Sequence, residues 1–304
     1  MKHFLFVLFF SISFCSYAQQ KQLCITVDDL PFVTYGSNDP KLLRSLTEKL
    51  VHAFNKHQIP AIGYVNEIHL YSGDRVNEAK VDLLRIWLKN GYELGNHTFS
   101  HTDFNKVTTE VYFNEILKGE IITKKLMKEY GKELNYFRHP YLHLGTTKNR
   151  YDSLSTFLAE HHYTLSPVTI DNEEYLFAKA YHKAYVAHNH EQMEKIGKLY
   201  LDYMEKKILF FEQKTIEVFN APIVQTLLIH ANMLNADYMD ALATMYEKNG
   251  YTFVSQETAL KDSAYTTPVS TYTRKGISWI YRWGFSKGMS EKLMEGDVEV
   301  PKFE

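Results

Sequence analysis

Short apolar runs alternate with longer amphipathic runs along most of this chain. The short runs have the residue types of strands, and the longer runs repeat apolar residues with helical spacing. Predicted strands span residues 23–27, 61–65, 92–95, 135–138, 163–170, 224–230 and 252–254. Predicted helices span residues 40–57, 79–89, 108–130, 149–161, 175–215, 237–248 and 256–260. This alternation indicates βα units and a largely parallel sheet.

The number of units predicts an α/β fold in the form of a distorted (β/α) barrel with about seven parallel strands. The helical pattern of residues 175–215 is a long insertion before the sixth strand. Asn90-Gly91 and Asn249-Gly250 end predicted helices just before new strands, as glycines after a helix commonly do. In βα barrels the functional groups gather at the carboxyl ends of the strands and in the loops that follow.

Polar clusters stand at five of these strand ends. They are Asp28 and Asp29 after the first strand, His97 and His101 after the third, Arg138 at the fourth, Asp171 at the fifth and His230 at the sixth. We therefore expect these side chains to share one mouth of the barrel.

His97 and His101 are four residues apart, so one helical turn would place both rings on one face, where they could bind one divalent cation. A third ligand is required, and the best donor is the pair Asp28-Asp29. Two adjacent acids after an apolar strand would cost several kcal/mol if buried unpaired. A histidine pair alone is a weak indication of a metal site. Thr98 stands where the HExxH metalloproteases have glutamate, which argues against that class.

Arg138 is followed by Pro140 and Tyr141 at the end of the fourth strand. Its planar guanidinium could hold Asp28 ionised and oriented. Pro140 would stiffen the turn and could aim the backbone N–H of Tyr141 at a developing oxyanion. The ordinary interpretation is a surface turn with a salt-bridged arginine.

His230 ends an apolar strand and has the titration range of a proton donor to a leaving amine or alcohol. Asp171 or Glu174 could pair with it and raise its pKa, and their spacing does not distinguish them. The ordinary interpretation is a core or loop histidine, with acids that favour a helix N-terminus.

Residues 1–18 have the pattern of a secretory signal peptide. Lys2 precedes an apolar core over residues 4–13, and Ser16-Tyr17-Ala18 forms a small-x-small cleavage site. The apolar core is too short to span a bilayer, so we expect no transmembrane segment. This pattern predicts an exported protein, periplasmic or secreted.

The mature chain would keep a single cysteine, Cys24, which excludes an intramolecular disulfide. Its 34 Lys and Arg balance 36 Asp and Glu, and no basic block interrupts this balance. Such a chain lacks the electrostatic footprint of a nucleic-acid-binding protein.

These motifs together resemble those of a known family. Thr26-Val27-Asp28-Asp29, His97-Thr98-Phe99-Ser100-His101, Arg138-His139-Pro140-Tyr141 and Leu228-Ile229-His230 look like the successive motifs of the NodB-homology polysaccharide deacetylases, carbohydrate esterase family four. The resemblance covers about residues 22 to 260. It implies a distorted (β/α) barrel and a metal-dependent hydrolase that removes N- or O-acetyl groups from an acetylated polysaccharide or oligosaccharide.

The resemblance also implies roles for individual residues. These are Asp28 as general base, Asp29, His97 and His101 as metal ligands, Arg138 as the group orienting the base, Tyr141 as backbone donor to the oxyanion, His230 as general acid and Leu228 as a wall of the acetyl pocket. The expected metal is Zn²⁺, with Co²⁺, Ni²⁺ or Mn²⁺ as alternatives.

The chain departs from the family pattern at two motifs. Leu30 replaces the glycine that usually follows the two aspartates. Glu174-Tyr175 stands where Asp-Trp is expected, which leaves the partner of His230 open and assigns Tyr175 to the substrate pocket. We expect residues 19–261 to form the catalytic domain and residues 262–304 a helical extension that packs on the barrel.

Two other functions stay open. A metal-dependent phosphoesterase could use a similar ligand set, although it would normally require more cations than Arg138. A non-catalytic carbohydrate-binding protein on the same barrel is the second alternative, because of the departures at Leu30 and at Glu174-Tyr175.

Overall fold

The computed structural model of the chain describes residues 21–303. The predicted signal peptide and its cleavage site lie outside the described residues. Across the described range, no helix has both the length and the apolar character needed to cross a membrane.

Seven strands form one sheet in which every pair is parallel. They are β1 Lys21–Leu30, β2 Ile62–Val65, β5 Glu93–Asn96, β6 Tyr136–Phe137, β7 Thr164–Leu165, β8 Gln225–His230 and β9 Tyr251–Phe253. Their order is β7-β6-β5-β2-β1-β8, and β9 pairs with the first residues of β1. The sheet curls into the predicted distorted (β/α) barrel, which is thereby confirmed. A short antiparallel hairpin, β3 Tyr71–Ser72 and β4 Arg75–Val76, was not predicted.

The distortion of the barrel is concentrated in the segment predicted as one strand over residues 163–170. Only Thr164–Leu165 pairs with β6, whereas Ile170 forms a separate parallel bridge with Leu227 of β8. The backbone N–H groups of Thr169 and Ile170 both donate to the carbonyl of Thr226, at 3.0 Å each. This segment therefore connects the two edges of the sheet.

Ten helices surround the sheet in the described chain. They are α1 Pro40–Lys56, α2 Glu78–Lys89, α3 Thr109–Lys118, α4 Ile121–Glu129, α5 Lys148–Glu160, α6 Glu174–Val186, α7 His190–Phe219, α8 Met233–Lys248, α9 Gln256–Ala259 and α10 Trp279–Ser286. The helix predicted over residues 108–130 is divided into α3 and α4, and the helix predicted over residues 175–215 is divided into α6 and α7. The first break lies at Gly119, where a Cβ would lie 2.5 Å from the backbone of Thr98, so glycine is required there. The break before α7 occurs where His188 adopts φ 54° and the Asn189 side chain caps the next helix.

The C-terminal segment is attached to the strand segment that closes the barrel. The backbone N–H of Trp279 donates to the carbonyl of Val168 at 2.8 Å, and the Ser278 hydroxyl donates to that of Thr169 at 2.6 Å. Trp279 and Trp283 are both buried. Helix α10 thus lies against this strand segment, while the assignment of residues 262–304 as a separate extension stays a prediction.

Leu30 is accommodated by a glycine on the neighbouring strand. Leu30 is fully buried at the end of β1. A Cβ built at Gly63 on β2 would lie 2.0 Å from Leu30 Cδ1 and 3.4 Å from the ring of Trp87. The Leu30 side chain therefore occupies the space that a side chain at Gly63 would need.

Replacing Gly63 with alanine is expected to lower the free energy of unfolding by roughly 1–3 kcal/mol, because overpacking displaces Leu30. Chemical denaturation of Gly63→Ala, Leu30→Ala and the double variant measures this. The two effects should be non-additive, with the double variant less destabilised than the sum of the single ones. Strict additivity would show that Leu30 does not occupy this space.

Candidate active site

A β-bulge at the end of β1 places two adjacent carboxylates on the same side. Val27 pairs with Gly63 but Leu30 pairs with Val65, so β1 contains one extra residue here. Asp29 has φ 61°, in the left-handed region. Successive side chains of a regular strand point to opposite faces, and a bulge interrupts that alternation. Both aspartates line one cleft as a result.

The predicted helical turn at residues 97–101 is wrong. These residues form a loop after β5 in which Thr98 and His101 have φ values of 67° and 55°. Ser100 anchors the loop by donating from its N–H and its hydroxyl to Glu115, at 2.8 and 2.6 Å. The two histidine rings still converge, with centroids 5.0 Å apart. Their convergence comes from the bent backbone and not from helical periodicity.

Three side chains form a donor set suited to a divalent cation. The ligand atoms of Asp29, His97 and His101 all lie within 4.8 Å of one another. Asp29 Oδ1 is 3.6 Å from His97 Nε2 and 3.5 Å from His101 Nε2. That oxygen is buried and has no hydrogen-bond partner in the structure, a cost that a bound cation would remove. A set of two imidazoles and one carboxylate fits zinc and similar metals.

The surroundings hold these side chains in their metal-binding forms. His97 Nδ1 donates to the carbonyl of Arg138 at 2.7 Å, which leaves Nε2 free to coordinate. Burial lowers the pKa of His101 to about 4, against the attraction of Asp29. Burial alone would raise the pKa of Asp29, but the neighbouring charges of His101, His230 and His97 lower it. Neutral imidazole and ionised carboxylate are the forms that bind metals.

Arg138 fixes the second carboxylate. It is fully buried, and its Nη1 lies 3.5 Å from Asp28 Oδ2. Its Nη2 donates to the Thr26 hydroxyl at 3.0 Å, and the guanidinium lies over the ring of Tyr64 at 4.7 Å. The other oxygen of Asp28, Oδ1, is buried and has no hydrogen-bond partner in the structure. Asp28 therefore has one oriented oxygen and one oxygen free to accept a proton.

Of the two acids proposed for His230, the structure brings Glu174 into contact with it. His230 Nδ1 lies 2.8 Å from Glu174 Oε2, and His230 Nε2 lies 3.9 Å from Asp29 Oδ2. Glu174 is fully buried and also accepts hydrogen bonds from the amides of Asn232 and Asn235. Asp171 lines the same cleft, where burial raises its pKa to about 6.

The ion pair with Glu174 sets the charge of His230. Burial would lower the pKa of His230, but the hydrogen bond and the charge of Glu174 outweigh it and raise the pKa to about 9. His230 is consequently protonated at neutral pH and can donate a proton from its other ring nitrogen. In the parallel sheet, His230 of β8 is the register partner of Asp28 of β1.

The remaining predicted residues line the same cleft, which encloses about 700 Å³. Leu228 lies on β8 two residues before His230 and is nearly buried. Tyr141 has a left-handed backbone, and its half-exposed ring meets His101 edge to face at 4.4 Å. Tyr175 is exposed, and its carbonyl accepts a hydrogen bond from the Tyr35 hydroxyl at 3.1 Å.

The C-terminal segment supplies residues that the sequence did not reveal. A Cβ at Gly276 would lie 1.8 Å from the carbonyl oxygen of Tyr141, so only glycine allows this approach. Arg282 is buried, and its Nη2 donates to the carbonyl of Leu142 at 2.9 Å. Arg274 and Lys275 line the cleft. The one available signal was a charged residue, Arg282, in an otherwise apolar helix.

Residues 16–156 match the family model described as polysaccharide deacetylase. A curated chitin deacetylase from Arthroderma benhamiae is 26% identical over 153 residues, which cover 50% of this chain. The match spans only 35% of that relative's length. The family match includes the predicted metal ligands but ends before Glu174 and His230.

Two solved structures resemble the fold with a TM-score of 0.50 each. One is a mutant with restored enzymatic activity of a CE4-family pseudoenzyme from Bacillus anthracis; it is 12% identical, and the alignment covers 80% of this chain and 68% of that one. The other is a peptidoglycan N-acetylglucosamine deacetylase in complex with a naphthalenyl N-oxidanyl-benzamide, 17% identical, with 79% and 88% covered. At these identities the likeness concerns the fold alone.

Removing either histidine of the donor set is expected to abolish stable metal binding. His97→Ala and His101→Ala should lose more than the roughly 10- to 100-fold in affinity typical of an outer-shell change. Calorimetric titration with Zn²⁺ and Co²⁺ measures affinity and stoichiometry. Asp28→Asn should retain about one ion per chain, and His161→Ala serves as a surface-histidine control. Unchanged stoichiometry in His97→Ala would exclude it as a ligand.

Replacing Glu174 with glutamine is expected to lower the pKa of His230 from about 9 toward its ordinary 6.5, because the neighbouring charge is removed. NMR titration of the ring protons in metal-free protein reports this value. Asp171→Asn is the matched control and should change the pKa much less. A larger effect of Asp171→Asn would show that Asp171, and not Glu174, is the partner of His230.

Proposed function

We propose that this chain, whose residues 16–156 match the polysaccharide deacetylase model, is a metal-dependent hydrolase removing N- or O-acetyl groups from a polysaccharide or oligosaccharide. One observation carries the proposal. A cation-binding donor set, an arginine-held carboxylate and a protonated histidine line one cleft. These are the groups that hydrolysis of an acetyl amide or ester requires.

Asp29, His97 and His101 would hold the cation, with Zn²⁺ as the first choice. When bound, such an ion polarises a carbonyl group and lowers the pKa of coordinated water. The tautomer of His97 supports this assignment, since its Nδ1 is already engaged by the backbone.

Asp28 would act as the general base. Its Oδ2 faces Arg138, and its Oδ1 lacks a partner, so Oδ1 can accept a proton from the attacking water. The buried guanidinium keeps this carboxylate in position without neutralising it by proton transfer, because arginine stays protonated.

Tyr141 and Leu228 would receive the acetyl group. The left-handed backbone at Tyr141 lies at the edge of the cleft, where its N–H would stabilise the oxyanion of the tetrahedral intermediate. Leu228 offers an apolar wall to the methyl group, and Tyr175 lies at the rim where the sugar would enter.

His230 would act as the general acid. Its Nδ1 is engaged by Glu174, so Nε2 carries the proton that passes to the departing sugar nitrogen or oxygen. The proton of the attacking water goes to Asp28, the C–N or C–O bond breaks, and acetate and the free amine or hydroxyl result. We assign Asp171 no contact with His230; it would contribute negative charge to the cleft wall.

A phosphoesterase is the alternative with an observation in its favour. Arg274 and Lys275 line the cleft in addition to buried Arg138 nearby, so more cations are available to a phosphate than the motifs alone suggested. A non-catalytic binding role is the other alternative. The predicted leader makes export to the periplasm or the medium part of the proposal.

Acetate release by residues 19–304 from chitooligosaccharides, peptidoglycan and acetylated xylan tests the function. Release should be abolished by a chelator and restored by Zn²⁺ or Co²⁺. Asp28→Asn should bind metal but lose about 10²- to 10⁴-fold in kcat, the usual contribution of a general base.

A phosphate ester assayed in parallel separates the alternatives. Hydrolysis of that ester without acetate release would favour the phosphoesterase. Metal binding with no turnover of any substrate would favour a binding role. A near wild-type rate in Asp28→Asn would refute its assignment as base.

A further inference from the structure

A second groove of about 790 Å³ adjoins the candidate active site. It lies between α6, the loop after β1 and the chain near residues 300–303. We call it the lysine groove and define it by Tyr35, Leu176, Lys179, Lys183, Lys302 and Phe303. Tyr35 lines both the lysine groove and the cleft that contains His97 and His230. A linear ligand could therefore extend from one into the other.

Helix α6 connects the two sites directly. Glu174, the partner of His230, is its first residue, and the face formed by Leu176, Lys179 and Lys183 borders the groove. At 1.5 Å per residue, Lys179 and Lys183 lie about 7.5 and 13.5 Å from Glu174 along the helix axis. These cations therefore lie on the same helix as the partner of His230, within reach of sugar units next to one bound in the cleft.

Among residues 21–303, the lysines of the groove have no acidic partner. Lys179, Lys183 and Lys302 are exposed, none has an ion pair or side-chain hydrogen bond with another described residue, and no acid lines the groove. Several other lysines of α7 have acidic partners, as Lys198 has Glu194 at 2.6 Å. The whole chain has a net charge of −2, so these lysines form a local concentration of positive charge.

The groove also offers apolar surface suited to sugar rings. Tyr35 is fixed by its hydrogen bond to the carbonyl of Tyr175, and its ring lies 5.7 Å from that of His182. Phe303 and Leu176 add apolar area. Aromatic rings beside polar groups are a common way of holding a pyranose.

We infer that the lysine groove binds carboxylate-bearing sugar units that flank the acetylated unit in the same chain. This inference rests on the proposed function and names its substrate class, an acidic acetylated polysaccharide. Lys179 and Lys183 stand one helical turn apart on the face that borders the groove. A single phosphate would favour converging donors with backbone N–H groups.

Binding is measured by calorimetry with Asp28→Asn, which keeps the ligand intact. The probe is a short oligosaccharide alternating N-acetylglucosamine and glucuronic acid, compared with the same oligosaccharide after reduction of its carboxylates to alcohols. The acidic form should bind more tightly, and Lys179→Gln or Lys183→Gln should each weaken it by roughly two- to five-fold at low salt. Neither change should affect the reduced form.

Lys125→Gln and Lys128→Gln are the matched controls, since both lysines are exposed on α4 and line no groove described here. Equal affinity for the two probes would overturn the inference. If both groove variants keep the preference for the acidic form, the carboxylates bind outside the lysine groove, and the inference is refuted. Tighter binding of a glycerol phosphate oligomer would also refute it.

Steady-state kinetics of the otherwise wild-type chain separate this inference from the proposed function. With the acidic substrate, Lys179→Gln and Lys183→Gln should raise KM and leave kcat unchanged. If no acetate is released from any substrate, the proposed deacetylase function fails, and the calorimetric comparison still decides the ligand of the groove. Acetate release without a preference for carboxylate-bearing substrates would support the proposed function and refute the inference about the lysine groove.

Discussion

The structure of the site depends on two adjacent carboxylates at the end of the central strand, buried Asp28 and partly buried Asp29. Like charges this close and this buried are costly unless cations face them. Arg138, just after β6, faces Asp28, and the imidazoles of His97 and His101 lie beside Asp29, where a bound cation would compensate its charge. His230 approaches from β8. The chemistry proposed for the site is thus a consequence of how this charge is compensated.

Segments outside the family match complete the site. The helical insertion begins with Glu174, which pairs with His230, and continues into the lysine groove. The C-terminal segment contributes Gly276 and Arg282, which contact the turn at Tyr141. Both segments contact residues that line the candidate active site, Glu174 through His230 and the C-terminal segment through the turn at Tyr141.

Much of the fold followed from the sequence because strands and helices differ in hydrophobic period. All seven parallel strands lie where that period placed them, and the polar residues at their ends do meet. The long helices around Gly119 and His188 were predicted as continuous, because breaks caused by a neighbouring loop leave no mark in the period. The hairpin at residues 71–76 is too short to show a hydrophobic period.

The sequence by itself determined which residues reach the mouth of the barrel, because strand ends and motif order are local properties. Only the tertiary structure decided how they meet there. It replaced a helical turn at His97 with a loop that contains left-handed residues, and it selected Glu174 over Asp171 as the contact of His230. It also packed Leu30 against Gly63 of the neighbouring strand. These outcomes depend on contacts between strands and helices far apart in the chain, which no local pattern records.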